Sequence, residues 1–220
     1  TKGYATHKLY DTPAYGVAFY HQSTIDDLLT RGLSLTFGIR YDYEHTSNDF
    51  LFYKETDGGS EQMDAFDSRL KFSQVTPKIA LQYMFPSTGM LYATVTKGYK
   101  TGGFNTSFDR EEDRTFRPET SWNYELGAKH PFLDNRLNAE FCFFWIDWKN
   151  QQIYQMLATQ NGQFLRNAGR SESKGVEVSL QGNPVNGLMV QVNYGFTHAT
   201  FKDYKDERLS LIHISEPTRP

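Results

Sequence analysis

Residues 96–105 read TKGYKTGGFN, which sets Lys100 and Thr101 beside Gly98, Gly102 and Gly103. A Lys-Thr pair among glycines is the raw material of a phosphate-binding loop, where backbone N–H groups cradle phosphate oxygens at a helix N-terminus and the lysine neutralises their charge. That loop needs glycine immediately before the lysine, and Tyr99 occupies the position. Nor do residues 104–110 carry the apolar periodicity of a helix. Clusters of this kind mark strand ends and turns far more often than nucleotide sites, so no nucleotide is expected here.

The remaining reactive side chains do not assemble into a site either. His7, His21, His45, His130 and His198 lack the paired or i,i+4 spacing of zinc ligands. Ser107 and Ser121 have no nucleophile-elbow context, and the run DYKDE at 203–207 reads as a solvated loop. The one cysteine, Cys142, permits no disulfide framework and reads as a small inward-facing filler. No enzyme activity, metal or cofactor is expected.

The 220 residues carry a formal charge of -3, which argues against nucleic acid as a partner, since that would call for a basic stripe. Aromatic content is 15%, yet the longest apolar run, FCFFWI at 141–146, is far below the roughly 18 residues of a transmembrane helix. Helical spans are excluded, but transmembrane strands are not, because their signature is alternation. The chain opens at Thr1 without a methionine or signal peptide, so its N-terminus is expected to lie within a longer protein or at a processing site. Residues 209–219, LSLIHISEPTR, resemble the translation of a sequencing-library transposase adaptor. Residues 209–220 are therefore set aside as a non-native tail, and the natural protein is expected to continue past Arg208.

What must position any site is a series of strands. From Leu33 to Tyr43 the apolar Leu33, Leu35, Phe37, Ile39, Tyr41 and Tyr43 alternate with Ser34, Thr36, Gly38, Arg40 and Asp42. At an apolar frequency of 38% that pattern has a chance probability of about 0.0003 in any one window. It recurs in Trp122, Tyr124, Leu126 and Ala128, in Leu137, Ala139, Phe141, Phe143 and Trp145, and in Leu188, Val190, Val192, Tyr194 and Phe196. Further strands are expected at about 13–23, 69–85, 90–100 and 164–182, giving about eight. Tight turns are expected at 86–89 (PSTG), 131–135 (PFLDN) and 183–187 (NPVNG). They alternate with long polar connections such as 46–65 and 101–117.

A soluble sandwich alternates too, but its strands are usually about five or six residues long. Eleven residues at about 3.3 Å span roughly 36 Å; tilted by about 45°, they cover the apolar band of about 25 Å on a membrane barrel. Arg40, Asp42, Glu125, Lys129, Glu140 and Glu177 all fall on the face opposite the apolar one, where they avoid the lipid. Tyr41, Tyr43, Trp122, Tyr124 and Trp145 gather near the long-connection ends, where an interfacial aromatic girdle belongs.

VTPKIALQYMF (75–85), LYATVTKGYKTGGFN (91–105), FRPETSWNYELGAK (116–129), LNAEFCFFWIDWKNQQI (137–153) and NAGRSESKGVEVSLQG (167–182) resemble, in order and spacing, the barrel of TonB-dependent outer-membrane receptors. The resemblance covers about residues 31–203. It implies an all-β chain, residues 1–208 being a partial antiparallel transmembrane β-barrel of about eight strands out of 22, with the plug domain absent from this sequence. It implies active import across the outer membrane of a Gram-negative bacterium, of a ferric siderophore or another scarce nutrient, driven by the TonB-ExbB-ExbD complex acting through the plug. On this reading the glycines of TKGYKTGGFN ease a bend or bulge at the barrel rim. Aromatics and cations near the long connections are the candidate ligand contacts: Tyr99, Phe104, Arg117, Trp148 and Tyr154. Arg117 suits an anionic iron chelate, and Trp148 or Tyr154 suits a stacked sugar. Girdle or loop packing is the competing reading for all five. The alternatives in function are a passive porin-like barrel without a plug, a TonB-dependent receptor for a carbohydrate or cobalamin, and a soluble sugar-binding sheet.

Overall fold

In the computed structural model, residues 4–56, 58–159, 162–167 and 169–204 are described. The expected tail at 209–220 and most of the DYKDE run fall outside them. Antiparallel strands dominate: β1 (Tyr4–Asp11), β2 (Ala14–Ile25), β3 (Leu33–Thr56), β4 (Gly59–Met84), β5 (Met90–Lys100), β6 (Gly103–Phe104), β7 (Thr115–Phe116), β8 (Glu119–Phe132), β9 (Leu137–Lys149), β10 (Gln152–Met156), β11 (Gln163–Asn167), β12 (Gly169–Val185) and β13 (Leu188–Tyr204). The one helical element among the described residues is a 3-10 turn at Glu111–Arg114.

The main sheet runs β3-β4-β5-β8-β9-β12-β13, with β1 and β2 both pairing β3. Those two make a single lane along β3, broken at Thr12–Pro13, where the Ser47 N–H donates to the Pro13 carbonyl at 3.0 Å. Proline has no N–H to give back, so the ladder stops there. Eight lanes result, the number that the alternation predicts, and the sheet is open at β13 and at the β1/β2 lane.

Alternation sorts the two faces. Phe19, Leu126 and Val192 are 71%, 59% and 55% exposed, and Ile39, Ile79, Phe141 and Phe196 are exposed with them. The only large hydrophobic side chains buried among the described residues, Phe50 and Phe164, lie in the upper extensions and not under the sheet. A water-soluble sheet must hide its apolar face against a second layer; among the described residues no second layer covers this one, and its apolar face is exposed as on the outer side of a membrane barrel. On the opposite face four of the expected charges pair, while Glu125 accepts from the amide of Asn123. Arg40 chelates Asp42 through Nη2 at 2.7 Å and Nε at 2.9 Å, and Lys129 Nζ lies 3.0 Å from Glu140. Cys142 is half-buried on that same face, beside Glu140 and Phe144.

Two expectations about the connections fail. Residues 46–65 are not a polar loop: β3 and β4 pair continuously up to Thr56 and Gly59, with one register shift at Phe52/Tyr53, leaving only residues 57 and 58 between them. The polar letters conceal cross-strand pairs such as Phe50 with Phe66, and β1 adds a third strand through Phe50, Phe52 and Tyr53. At 24 residues, β3 has a contour of roughly 80 Å, far more than a bilayer needs, so the hairpin stands well above the rim. The expected strand at 164–182 is really two: β11 leaves the main sheet to pair β10, and β12 starts afresh at Gly169.

Candidate ligand-binding face

Above the rim the hairpin extension meets two connections, residues 101–118 between β5 and β8 and residues 150–168 between β9 and β12. Loops of this length need partners for their backbone groups, and side-chain amides supply them. Asn105, 6% exposed, donates from Nδ2 to the carbonyls of Asp113 and Leu165 at 2.7 Å each, and its Oδ1 accepts the Leu165 N–H at 2.8 Å. It thus pairs with Leu165 as a strand residue would. Asn167 does the same from the other side, accepting the Arg117 N–H at 2.7 Å and donating to the Arg117 carbonyl at 2.9 Å and the Asn150 carbonyl at 2.8 Å. Gln152 extends the tie, donating from Nε2 to the carbonyls of Thr101 and Arg117 while its N–H reaches Glu119.

Charges close the junction. Arg166 Nε lies 3.0 Å from the buried Asp113, and Arg114 stacks on the Phe66 ring at 3.8 Å while pairing with Glu111. The Tyr10 hydroxyl donates to the Thr106 carbonyl at 2.7 Å, and burial pushes the Tyr10 phenol above its ordinary value. Between the hairpin and the loops lies a cavity of about 290 Å³ lined by Phe50, Phe52, Phe66 and Phe108 together with Lys8 and Asp64.

The glycines of TKGYKTGGFN have their role here. β5 pairs β8 without a register shift through Lys100, so no bulge is present. Gly102 is instead a point of close approach, where a Cβ would sit 2.3 Å from the Phe116 carbonyl oxygen and 2.8 Å from the Phe72 ring. The Lys-Thr pair borders a packed loop junction.

The five candidate contacts are not one cluster. Tyr99 is half-buried near the upper end of β5, beside the Asp42 carboxylate. Trp148 is half-buried near the upper end of β9, paired with Ser121 and Ser171. Phe104 is half-buried against Thr115 in the β6–β7 pair. Arg117 and Tyr154 are exposed; the Arg117 backbone is pinned by Asn167, and its side chain enters no ion pair with the described residues. The structure joins Phe104, Arg117 and Tyr154 through the loop junction and leaves Tyr99 and Trp148 on the wall below. Sequence reasoning missed Asn105, Asn167 and Gln152, which build that junction. The partners through which each reaches outside its own connection lie 33 to 60 residues away, a separation with no periodic trace. Among the described residues no group of His, Cys, Asp or Glu is arranged to hold a metal ion.

A family model described as TonB dependent receptor-like, beta-barrel, matches residues 4–214, a span that runs into the set-aside tail. The pesticin receptor of Yersinia pestis is 27% identical over 176 residues, 79% of this chain and 24% of that protein. The ferric-pyoverdine 358 receptor of Pseudomonas putida is 29% identical over 139 residues, 62% of this chain and 16% of that one. The crystal structure of the ferric yersiniabactin uptake receptor of Yersinia pestis superposes with a TM-score of 0.71 at 23% identity, over 89% of this chain and 28% of its own. The siderophore receptor PiuA of Acinetobacter baumannii gives 0.69 at 20% identity, over 89% and 27%. The chain thus spans about a quarter of the length of the pesticin receptor it matches.

Proposed function

The chain belongs to the TonB-dependent receptor-like β-barrel family, and on that premise we propose that it is part of an outer-membrane transporter importing a ferric siderophore or similar iron complex. The sheet forms eight lanes of a multi-pass barrel in the outer membrane of a Gram-negative bacterium. Its apolar face meets lipid, and its charged face lines the lumen that a plug domain fills. The TonB-ExbB-ExbD complex supplies the energy by acting on that plug.

The observation that carries this reading is the braced loop junction above the rim. Amide, ion-pair and aromatic ties hold the connections 101–118 and 150–168 against the β3–β4 extension, so the upper face is a shaped surface. Pre-organisation of this kind lowers the ordering cost of capturing a dilute ligand. Arg117 offers an exposed guanidinium suited to an anionic chelate, and Tyr154 and Phe104 offer aromatic surface on the same loop junction. Tyr99 and Trp148, lower on the wall, would meet the ligand as it passes inward.

The test uses the full-length receptor in its own host under iron limitation. Deletion is expected to abolish growth on the cognate ferric chelate, and re-expression to restore it only when the energy-transducing complex is intact. Uptake that persists without that complex would favour the passive barrel. Dependence on the complex with a sugar or cobalamin as the cargo would move the assignment to another ligand class.

A further inference from the structure

A polar lumen explains the charges on the inner face, but one group of charges lies on the other face. Strand registers define its rows. Leu126, Phe143, Val176 and Phe196 form an apolar row across β8, β9, β12 and β13. One step toward the loops come Tyr124, Trp145, Lys174 and His198; then Trp122, Asp147, Glu172 and Thr200; then Thr120, Lys149 and Arg170. Alternation keeps all of these on the face that carries the exposed apolar side chains.

The charges are graded in depth. Arg170 chelates Asp147 at 2.7 and 2.9 Å, while Lys202 and Lys174 converge on one Glu172 oxygen at 3.3 and 3.9 Å. Both carboxylates are largely shielded, whereas the three cationic side chains are about half exposed. Lys149, the cross-strand partner of Arg170, is exposed and enters no ion pair with the described residues. Asp203, opposite Arg170, is an exposed carboxylate beside them. The shielded carboxylates tether the half-exposed cations in one patch without saturating their donors. Arg170 keeps donors outside its chelate, and each ammonium offers three.

Charge at this height has a natural counterpart. The patch begins with Lys174 in the row of the Tyr124–Trp145 stack and rises above it; the ring centroids of the stack are 5.0 Å apart, and it marks the interfacial level of a bilayer. A lipid whose acyl chains lie on the apolar rows would carry its headgroup to the height of these cations.

We propose that Lys149, Arg170, Lys174 and Lys202 form a binding site for the phosphate-bearing headgroup of a lipid in the loop-side leaflet, with its acyl chains on the rows of Leu126, Phe143 and Val176. This rests on the reading of the sheet as a membrane barrel. The charge on the patch selects phosphate, and its continuity with the apolar rows selects a lipid over a free anion.

The test is native mass spectrometry of the full-length receptor titrated with a bis-phosphorylated diglucosamine acyl lipid and with the same lipid stripped of phosphate. Lys149→Gln, Lys174→Gln and Lys202→Gln are combined in a Glu172→Gln background that is also measured alone, so that no shielded carboxylate is left without its cations, and Arg170 stays in place so that Asp147 keeps its partner. Each cation at a membrane surface is worth about fivefold in affinity, so the triple variant is expected to bind the phosphorylated lipid up to roughly 100-fold more weakly. Undiminished binding by the triple variant, or equal binding of the phosphate-free lipid by the wild type, overturns the proposal. So does a dimer that the substitutions dissociate without loss of lipid, which would make the patch a contact between copies. Heat-modifiable mobility of the membrane fraction is scored in parallel. A receptor that inserts but ignores phosphate sinks only this site, whereas one that never enters the membrane sinks the barrel reading as well.

Discussion

Replacing Asn105 with alanine removes three hydrogen bonds at once, those to the Asp113 carbonyl, the Leu165 carbonyl and the Leu165 N–H. At about 1 kcal/mol net for each bond, the junction between connections 101–118 and 150–168 loses about 3 kcal/mol. If Leu165 exchanges through opening of that junction, its amide should exchange roughly 150-fold faster. The loss is local because the hydrogen-bond partners of Asn105 lie in the 3-10 turn, at Asp113 and Arg114, and in β11 at Leu165, outside the main sheet. Asn105→Asp is the diagnostic companion. Aspartate keeps an acceptor for the Leu165 N–H but cannot donate to the two carbonyls, so it should recover only part of the protection. Hydrogen–deuterium exchange by mass spectrometry on the full-length receptor in detergent reads both effects against peptides from β8 and β9. The reasoning fails if Leu165 is no less protected in Asn105→Ala, if aspartate protects as well as asparagine, or if the β8 and β9 peptides exchange faster to the same degree.

Leu35→Arg places a cation on the lipid-facing side and should cost about 2 to 4 kcal/mol in barrel assembly, whereas Thr36→Arg points into the lumen and should be tolerated; equal yields of heat-modifiable barrel would refute the assigned faces. Gly175→Ala puts a Cβ 2.1 Å from the Phe196 carbonyl oxygen, while a Cβ added at Gly195 would meet nothing within 4 Å. The first should therefore destabilise by about 1 to 3 kcal/mol and the second hardly at all, as measured by urea unfolding in lipid. Arg117→Ala should weaken binding of an anionic ferric chelate tenfold or more, about 1.4 kcal/mol, with little change in barrel yield; unchanged affinity in a fluorescence-quenching titration would remove Arg117 from the site. Tyr10→Phe should loosen the Thr106 tie by about 1 kcal/mol. Because burial raises the Tyr10 phenol, the wild-type tie is fully present below the ordinary tyrosine value and is lost only as pH rises through the higher folded one. An alkaline titration of exchange near Thr106 checks both statements.

The faces of the sheet were legible in the sequence because period-two alternation is a local property: once Leu33, Leu35 and Phe37 point one way, Arg40 and Asp42 must point the other. The eight lanes and the tight turns followed for the same reason. Three things were decided only by tertiary structure. The polar stretch 46–65 became a hairpin because β1 supplied Phe50, Phe52 and Tyr53 with cross-strand partners some 40 residues away in sequence. The expected strand at 164–182 broke because Leu165 and Asn167 are claimed by Asn105 and Arg117, 60 and 50 residues distant. Asp147 and Glu172, on the lipid-facing side by alternation, are tolerated because their partners Arg170, Lys174 and Lys202 come from neighbouring positions and strands above the apolar rows. A side-chain amide or carboxylate carries no directional preference of its own, so the choice among its possible partners belongs to the fold that brings one of them within reach.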